Sequence, residues 1–564
     1  MRKALVSISA LFILILAACG GNSGPADGGI PDAAGDAGVQ DVGPITRPPT
    51  TVNRTVKPKL ALDKLDRAQI ADFGLYTMDG PGEPHLLRND LEVVSPGPEK
   101  QRSILYVTHI TDTHVVDYQS PNRVVQWANA AIDGAFKTEE GYSVEVLDRL
   151  IHTVNGLSKF RRFDAFIHTG DGIDNNQANE LSWLLNTLGG KPVNTDSGGY
   201  EFTGDLNICQ QIVTEGLDTN VPWYYAFGNH DELLVGNSLP VSRKISVAEQ
   251  NEQIKTCTTT LEAIGTSSPA IIKCPADVLK LNPYLDDPDG KALPKGTVNS
   301  SADRIHITHN QFITGLFNDT SNPAGHGITQ ENLDKDNGNF TAVLVKDGKG
   351  AALVRLIVLD LSFAGEGNSV YASGFLYKST FDWLVLRLEE AKTNNELVIM
   401  ASHHPSYSLD GESEVSGSTL VSKILEYPNV VLHLVGHGHH NNIDPHMTFD
   451  ASKPGYWEVQ TTFTIAFPQQ VRLVELVDDG DGTGSIYTTM LDHDSVQTNP
   501  STGSMTPSWW SRQVAIREIQ MGHILEKGHG EITARNTRLK FKIPPGVQER
   551  VAAMPEKEVE SLNF

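Results

Sequence analysis

Ile104-Leu105-Tyr106-Val107-Thr108-His109-Ile110-Thr111-Asp112-Thr113-His114 decides the fold. Residues 104–110 are apolar and β-branched, the composition of a buried strand, and the run stops at a carboxylate and an imidazole two residues apart. The same form recurs along the chain. Phe163–His168 ends at Gly170-Asp171, with Asp174 and Asn175 close behind, and Trp223–Phe227 ends at Gly228-Asn229-His230-Asp231. Leu397–Ala401 ends at Ser402-His403-His404-Pro405, and Val430–Val435 ends at Gly436-His437-Gly438-His439. Strands apolar on both faces imply a covered sheet, and ligand-type residues just past their C-terminal ends are where α/β sheets gather functional loops. A sandwich of two sheets flanked by helices can bring all five loops to one edge.

Asp, Asn and His without thiolate suit the borderline divalent metals Mn, Fe, Zn or Co. Two such ions bridged by one carboxylate clamp a phosphoryl group and lower the pKa of a shared water. The chain of 564 residues carries a net charge of −24, which argues against long nucleic acid as partner. An anionic substrate must then draw its positive charge locally, from metal ions.

The N-terminus reads as an export signal over residues 1–19: Arg2 and Lys3, an apolar run Ala4–Leu16, then Leu16-Ala17-Ala18-Cys19. The run is short for a permanent bilayer span. Its ending resembles a bacterial lipobox, which implies lipid attachment at Cys19 and an extracytoplasmic protein anchored to a membrane, the outer membrane or cell surface favoured. Residues 20–56, rich in Gly, Pro, Ala and Asp, are expected as a tether. Residues 57–100 are expected to pack as an extension on a catalytic domain 101–500, which holds an insertion at 232–340, and 501–564 as a C-terminal helix and tail. Cys257–Cys274 is the closest possible disulfide pair, with Cys209 left over. Asp478–Gly484 is read as a hairpin turn, since it lacks a calcium loop's ligand spacing.

The ordered set D-x-H, G-D-x-x-D-N, G-N-H-D, H-x-P and G-H-x-H resembles the calcineurin-like metallophosphoesterase superfamily. The resemblance implies a mixed α/β fold (α+β) in four αββα layers, two mixed sheets flanked by helices. It implies that Asp112, His114, Asp171 and His439 hold one metal, and that Asp171 bridges to a second completed by Asn229, His403 and His437. His230 would stabilise the transition-state oxygen or protonate the leaving group, with Asp231 orienting its ring. His404 is expected behind His403, and His168 in the core. The implied activity is hydrolysis of phosphate esters by in-line attack of a metal-bridging hydroxide on small extracytoplasmic diesters or monoesters. Alternatives are a nucleotide pyrophosphatase, a nuclease, or a non-catalytic metal-binding surface protein. Gly80–His85, Gly325-His326-Gly327 and the stretch from Gly455-Tyr456-Trp457-Glu458 through Pro468-Gln469-Gln470 are similar to extra segments of bacterial secreted metallophosphoesterases. Asp174 stands where purple acid phosphatases carry an iron-ligating Tyr, so a tyrosinate-iron colour is not expected.

Overall fold

The computed structural model describes residues 47–564 apart from 63–66, 121–136, 198–209, most of 235–302, 363–371, 449–453, 499–504, 521–527 and a few positions at 92–99 and 410. The signal and lipid site at Cys19 and all three remaining cysteines lie outside the described residues.

Two mixed sheets face each other. One has seven strands in the order Leu86–Arg88, Thr537–Lys542, Thr483–Asp492, Gln470–Asp478, Arg102–Ile110, Ala165–His168, Trp223–Tyr225. The other has six, ordered Phe340–Lys346, Ala352–Val358, Leu397–Ala401, Val430–Val435, Tyr456–Gln460, Asn442–His446. Their facing side chains form one apolar core that includes Leu105, Val107, Leu473, Leu356, Ile399 and Leu432. Alternate residues on the second sheet, Ile357, Val398 and Met400, point the other way and are covered by Leu384 and Leu388 of helix Lys378–Thr393. Helix Ser143–Ser158 buries Leu147, Leu150, Ile151 and Val154 in the core beside the first sheet. This is the expected four-layer arrangement: successive strand side chains point to opposite faces and both faces are covered, while each helix buries one side.

Parallel pairing explains why the motif loops share an edge. Ile110 aligns with His168 and His168 with Tyr225 in the first sheet. Ala401 aligns with Val358 and Leu434, and Val435 with Gln460, in the second. The chain therefore leaves every one of these strands at the same end.

Three boundaries differ from expectation. The segment expected as a tether to residue 56 is already packed from Thr50 and Thr51, both buried, and Arg54–Pro58 pairs with Tyr76–Pro81. Leu86–Arg88 and Thr537–Lys542 are strands of the seven-stranded sheet rather than appendages. Short or basic stretches of this kind give little hydrophobic signal, because only the sheet they join buries them. Within the expected insertion, the described part 303–340 holds helices His309–Asn318 and Gln330–Lys335. The turn over 478–484 is a hairpin, Asp478 pairing with Gly484, and Asp479 is taken up by Lys540 and Arg538.

Candidate metal centre

The five loops bring Asp112, His114, Asp171 and His439 together, with one potential ligand atom from each lying within 4.8 Å of the others. All four are buried. Next to them, His403, His404 and His437 form a second such group, and Asn229 Oδ1 lies 3.2 Å from His437 Nδ1. Every residue expected to hold metal is thus in one place, and Asp171 stands between the groups.

The local backbone is unusual. Asp112, His114, Asp171, His437 and His439 all have positive φ, between 41° and 68°. The left-handed region is uncommon for residues with a Cβ and costs energy, so five at one edge indicate strain held for function. The motif glycines have a separate cause. A Cβ on Gly228 would lie 2.2 Å from Asp171 Oδ1, and one on Gly436 would lie 2.0 Å from Thr111 Oγ1 and 2.6 Å from Asp112 Oδ2. Those two glycines let neighbouring loops close around the carboxylates.

The hydrogen bonds fix which atoms face inward. His403 Nδ1 donates to Thr169 O at 2.7 Å, and His114 Nδ1 donates to Asp174 Oδ1 at 3.1 Å. Each ring therefore turns Nε2 toward the centre. His403 Nε2 lies 3.0 Å from Asp171 Oδ2, and His114 Nε2 lies 3.8 Å from Asp112 Oδ1. None of these four buried atoms has an aligned hydrogen-bond partner. A nitrogen lone pair facing a carboxylate oxygen requires positive charge between them, a proton or a cation. The ion pairs report that demand. Burial works against charge on His403, but Asp171 and Asp112 outweigh it and push the ring up to about 9. Burial likewise opposes ionisation of Asp112 and Asp171, yet His403 and further histidines hold both well below the carboxylate range. Burial and His403 lower His437 to about 3, a neutral ring suited to ligation. The donor set fits divalent metal, with oxygen and imidazole atoms already orphaned and converging.

One expected role is corrected. Asp231 does not orient His230. Its carboxylate accepts from the backbone N–H groups of Asp171 (3.2 Å), Gly172 (3.0 Å), Ile173 (3.3 Å) and Gly228 (2.9 Å), and from Tyr225 O–H (2.8 Å). It is committed to pinning two motif loops, and burial with Asp171 pushes it up to about 7 against the pull of those donors. Asp174 holds His230 instead: Nδ1 lies 3.1 Å from its Oδ1 and 3.2 Å from its carbonyl. Both partners are acceptors, so Nδ1 carries the proton and Nε2, 3.9 Å from Asp171 Oδ2, is the exchangeable position facing the centre. Burial lowers the His230 pKa, with Asp171 and Asp174 opposing. Asp174 thereby ties His230 and His114 together, which sequence reading missed; its place three residues after Asp171 was the available signal.

The remaining candidates fall as follows. His403, rather than His404, faces Asp171; His404 Nε2 bonds Ala372 O at 3.1 Å and its ring packs on His437 at 4.6 Å. His168 stacks on Tyr225 at 4.6 Å in the core. His326 is buried, stacked on Trp223 and paired with Asp319 at 3.1 Å, so it braces the later part of the insertion against the Trp223–Tyr225 strand. A cavity of about 890 Å³ beside the third motif is lined by Glu232, His309, Asp360 and Trp383 but by none of the candidate ligands.

Residues 105–441, more than half of the chain, match the family model described as calcineurin-like phosphoesterase. The chain belongs to that family. The phosphoesterase is also similar to the crystal structure of a dimetal phosphatase from Danio rerio, at 10% identity over 70% of this chain and 100% of that one, with a TM-score of 0.33. No curated protein matches it. Family membership and the clustered His and Asp residues make this a metallophosphoesterase, an enzyme of metal-dependent phosphoester hydrolysis with a dimetal site.

Proposed function

We propose that this phosphoesterase hydrolyses small extracytoplasmic phosphate esters, diesters or monoesters, by single in-line displacement at phosphorus. In this reading Asp112, His114, Asp171 and His439 hold one metal, and Asp171, Asn229, His403 and His437 the other. The observation that carries it is the convergence of buried, unbonded Asp112 Oδ1, His114 Nε2, Asp171 Oδ2 and His403 Nε2. Bound divalent ions supply Lewis acidity, activating water and neutralising phosphoryl charge. The protein's own groups then do three things. Thr169 O and Asp174 fix the tautomers of His403 and His114. Asp231 clamps the second and third motif loops, so that Asp171 keeps its place between the two groups. His230, held by Asp174, presents Nε2 to the centre; in its doubly protonated form Nε2–H donates to a phosphoryl oxygen or gives its proton to the leaving group, and the ring returns to the neutral Nδ1–H form.

The preference for small substrates rests on the charge of −24, since a polyanion would be repelled by the body of the protein. The Leu16–Cys19 sequence supports a lipid anchor at Cys19 and a place on a bacterial membrane, outer membrane or cell surface. The test is elemental analysis of the mature protein, paired with bis-nitrophenyl phosphate turnover after chelation and return of Mn²⁺ or Zn²⁺. Two metals per chain with restored turnover are expected. Absence of both metal and rescue would overturn the proposal.

A further inference from the structure

Tyr407 lies four residues beyond His403, in the short turn Ser406–Ser408, with 58% of its surface exposed. Exposed aromatic rings are common singly, but this one is built into the site's frame. Its phenol O–H donates to Gln460 Oε1 at 2.6 Å, and Gln460 Nε2 donates to His440 O at 2.8 Å. Gln460 also lies against Gly438, where a Cβ would come within 2.4 Å of Nε2. One side chain therefore links Tyr407 to the turn carrying His437 and His439. The backbone beneath it is pinned as well: Ser406 N and Oγ both donate to Glu458, at 3.2 and 3.1 Å, and Glu458 accepts from His433 Nδ1 at 3.0 Å. Ser408 N donates to Pro405 O at 3.1 Å.

Of the seven expected metal ligands, His437 alone is only half-buried, so the cluster opens on the side of this turn. The phenol is already engaged by Gln460, which leaves the face of the ring as the surface Tyr407 offers. A fixed, solvent-facing aromatic ring at the mouth of a phosphoester site suits a flat partner.

We propose that Tyr407 is a specificity residue whose ring stacks on a planar aromatic or heterocyclic ring carried by the phosphoester substrate. This rests on the phosphoester-hydrolase reading above and narrows it to ring-bearing esters. The test measures competitive inhibition constants of phenylphosphonate and methylphosphonate against nitrophenyl diester turnover, on the full metal-loaded chain. In Tyr407→Ser the constant for phenylphosphonate should rise about fivefold, while that for methylphosphonate stays within about twofold. Tyr407→Phe should keep the preference for the phenyl compound, because the ring remains. Equal shifts for both inhibitors, or no shift for either, would overturn the inference while diester turnover continued to support the proposed function. Loss of metal-dependent turnover in the parent protein would remove that function and this inference together.

Discussion

The separate duties of Asp231 and Asp174 can be told apart by amide substitution. In Asp231→Asn one oxygen becomes an NH2 group. If that group replaces Oδ1, it faces the N–H groups of Gly172 and Ile173; if Oδ2, those of Asp171 and Gly228. Either way two buried backbone donors lose their acceptor, at about 1–3 kcal/mol each. The expected loss of about 2–6 kcal/mol is a large part of a typical domain's stability. Denaturant unfolding with metal analysis should show that loss, together with weakened metal binding as the Asp171 loop slackens. Asp174→Asn should behave oppositely, because the amide oxygen still accepts but without charge, and hydrogen bonds to ionised groups are roughly twice as strong. Its stability should stay near that of the parent, while turnover falls on the order of tenfold, consistent with a weakened hold on a general acid. An Asp231→Asn protein with parental stability and metal content but lost turnover would refute this division and return Asp231 to the role of ring orienter.

His230→Ala should keep its metals and lose roughly 10²–10⁴ in turnover, most with poor leaving groups; a fall in metal content instead would place His230 among the ligands. Chelation should lower the melting temperature, since loaded ions stabilise by about 4 kcal/mol at a thousand times Kd, and an unchanged melting curve would mean that no ion is held. His309, between Asp360 (2.9 Å) and Asp336 (2.7 Å), has its ring pushed up to about 10 although burial opposes it. A folded pKa above the unfolded value of about 6.5 gives stability that is complete below that pH and lost as pH rises through about 10. Asp360→Asn should remove most of this alkaline decline relative to the parent, and parallel curves for the two proteins would count against the pairing.

The sequence carried the centre of this molecule well. Asp112, Asp171, Asn229, His403 and His437 each follow an apolar strand, and parallel strands must release them at a common edge, so convergence was legible from periodicity. Second-layer contacts were not. Asp231 and Asp174 are both acidic and near His230 in the chain or the motif set, and only the loop path shows which carboxylate meets a ring and which meets backbone N–H groups. His433 looked like an ordinary residue in an apolar strand, yet it joins Ser402 to Glu458 across three strands. The edges of the seven-stranded sheet were hidden for another reason: Leu86–Arg88 has three residues, too few to show a period.

That short edge strand has a consequence for the order of events during synthesis. Leu86, Leu87 and Arg88 pair with Thr537, Arg538 and Leu539, so an early strand waits for one made much later in the chain. The sheet bearing Asp112 and Asp171 stays open along that side until residue 542 is made. That side of the sheet can close only after residues 537–542 are made, and the nascent chain carries all of its metal-binding motifs before then.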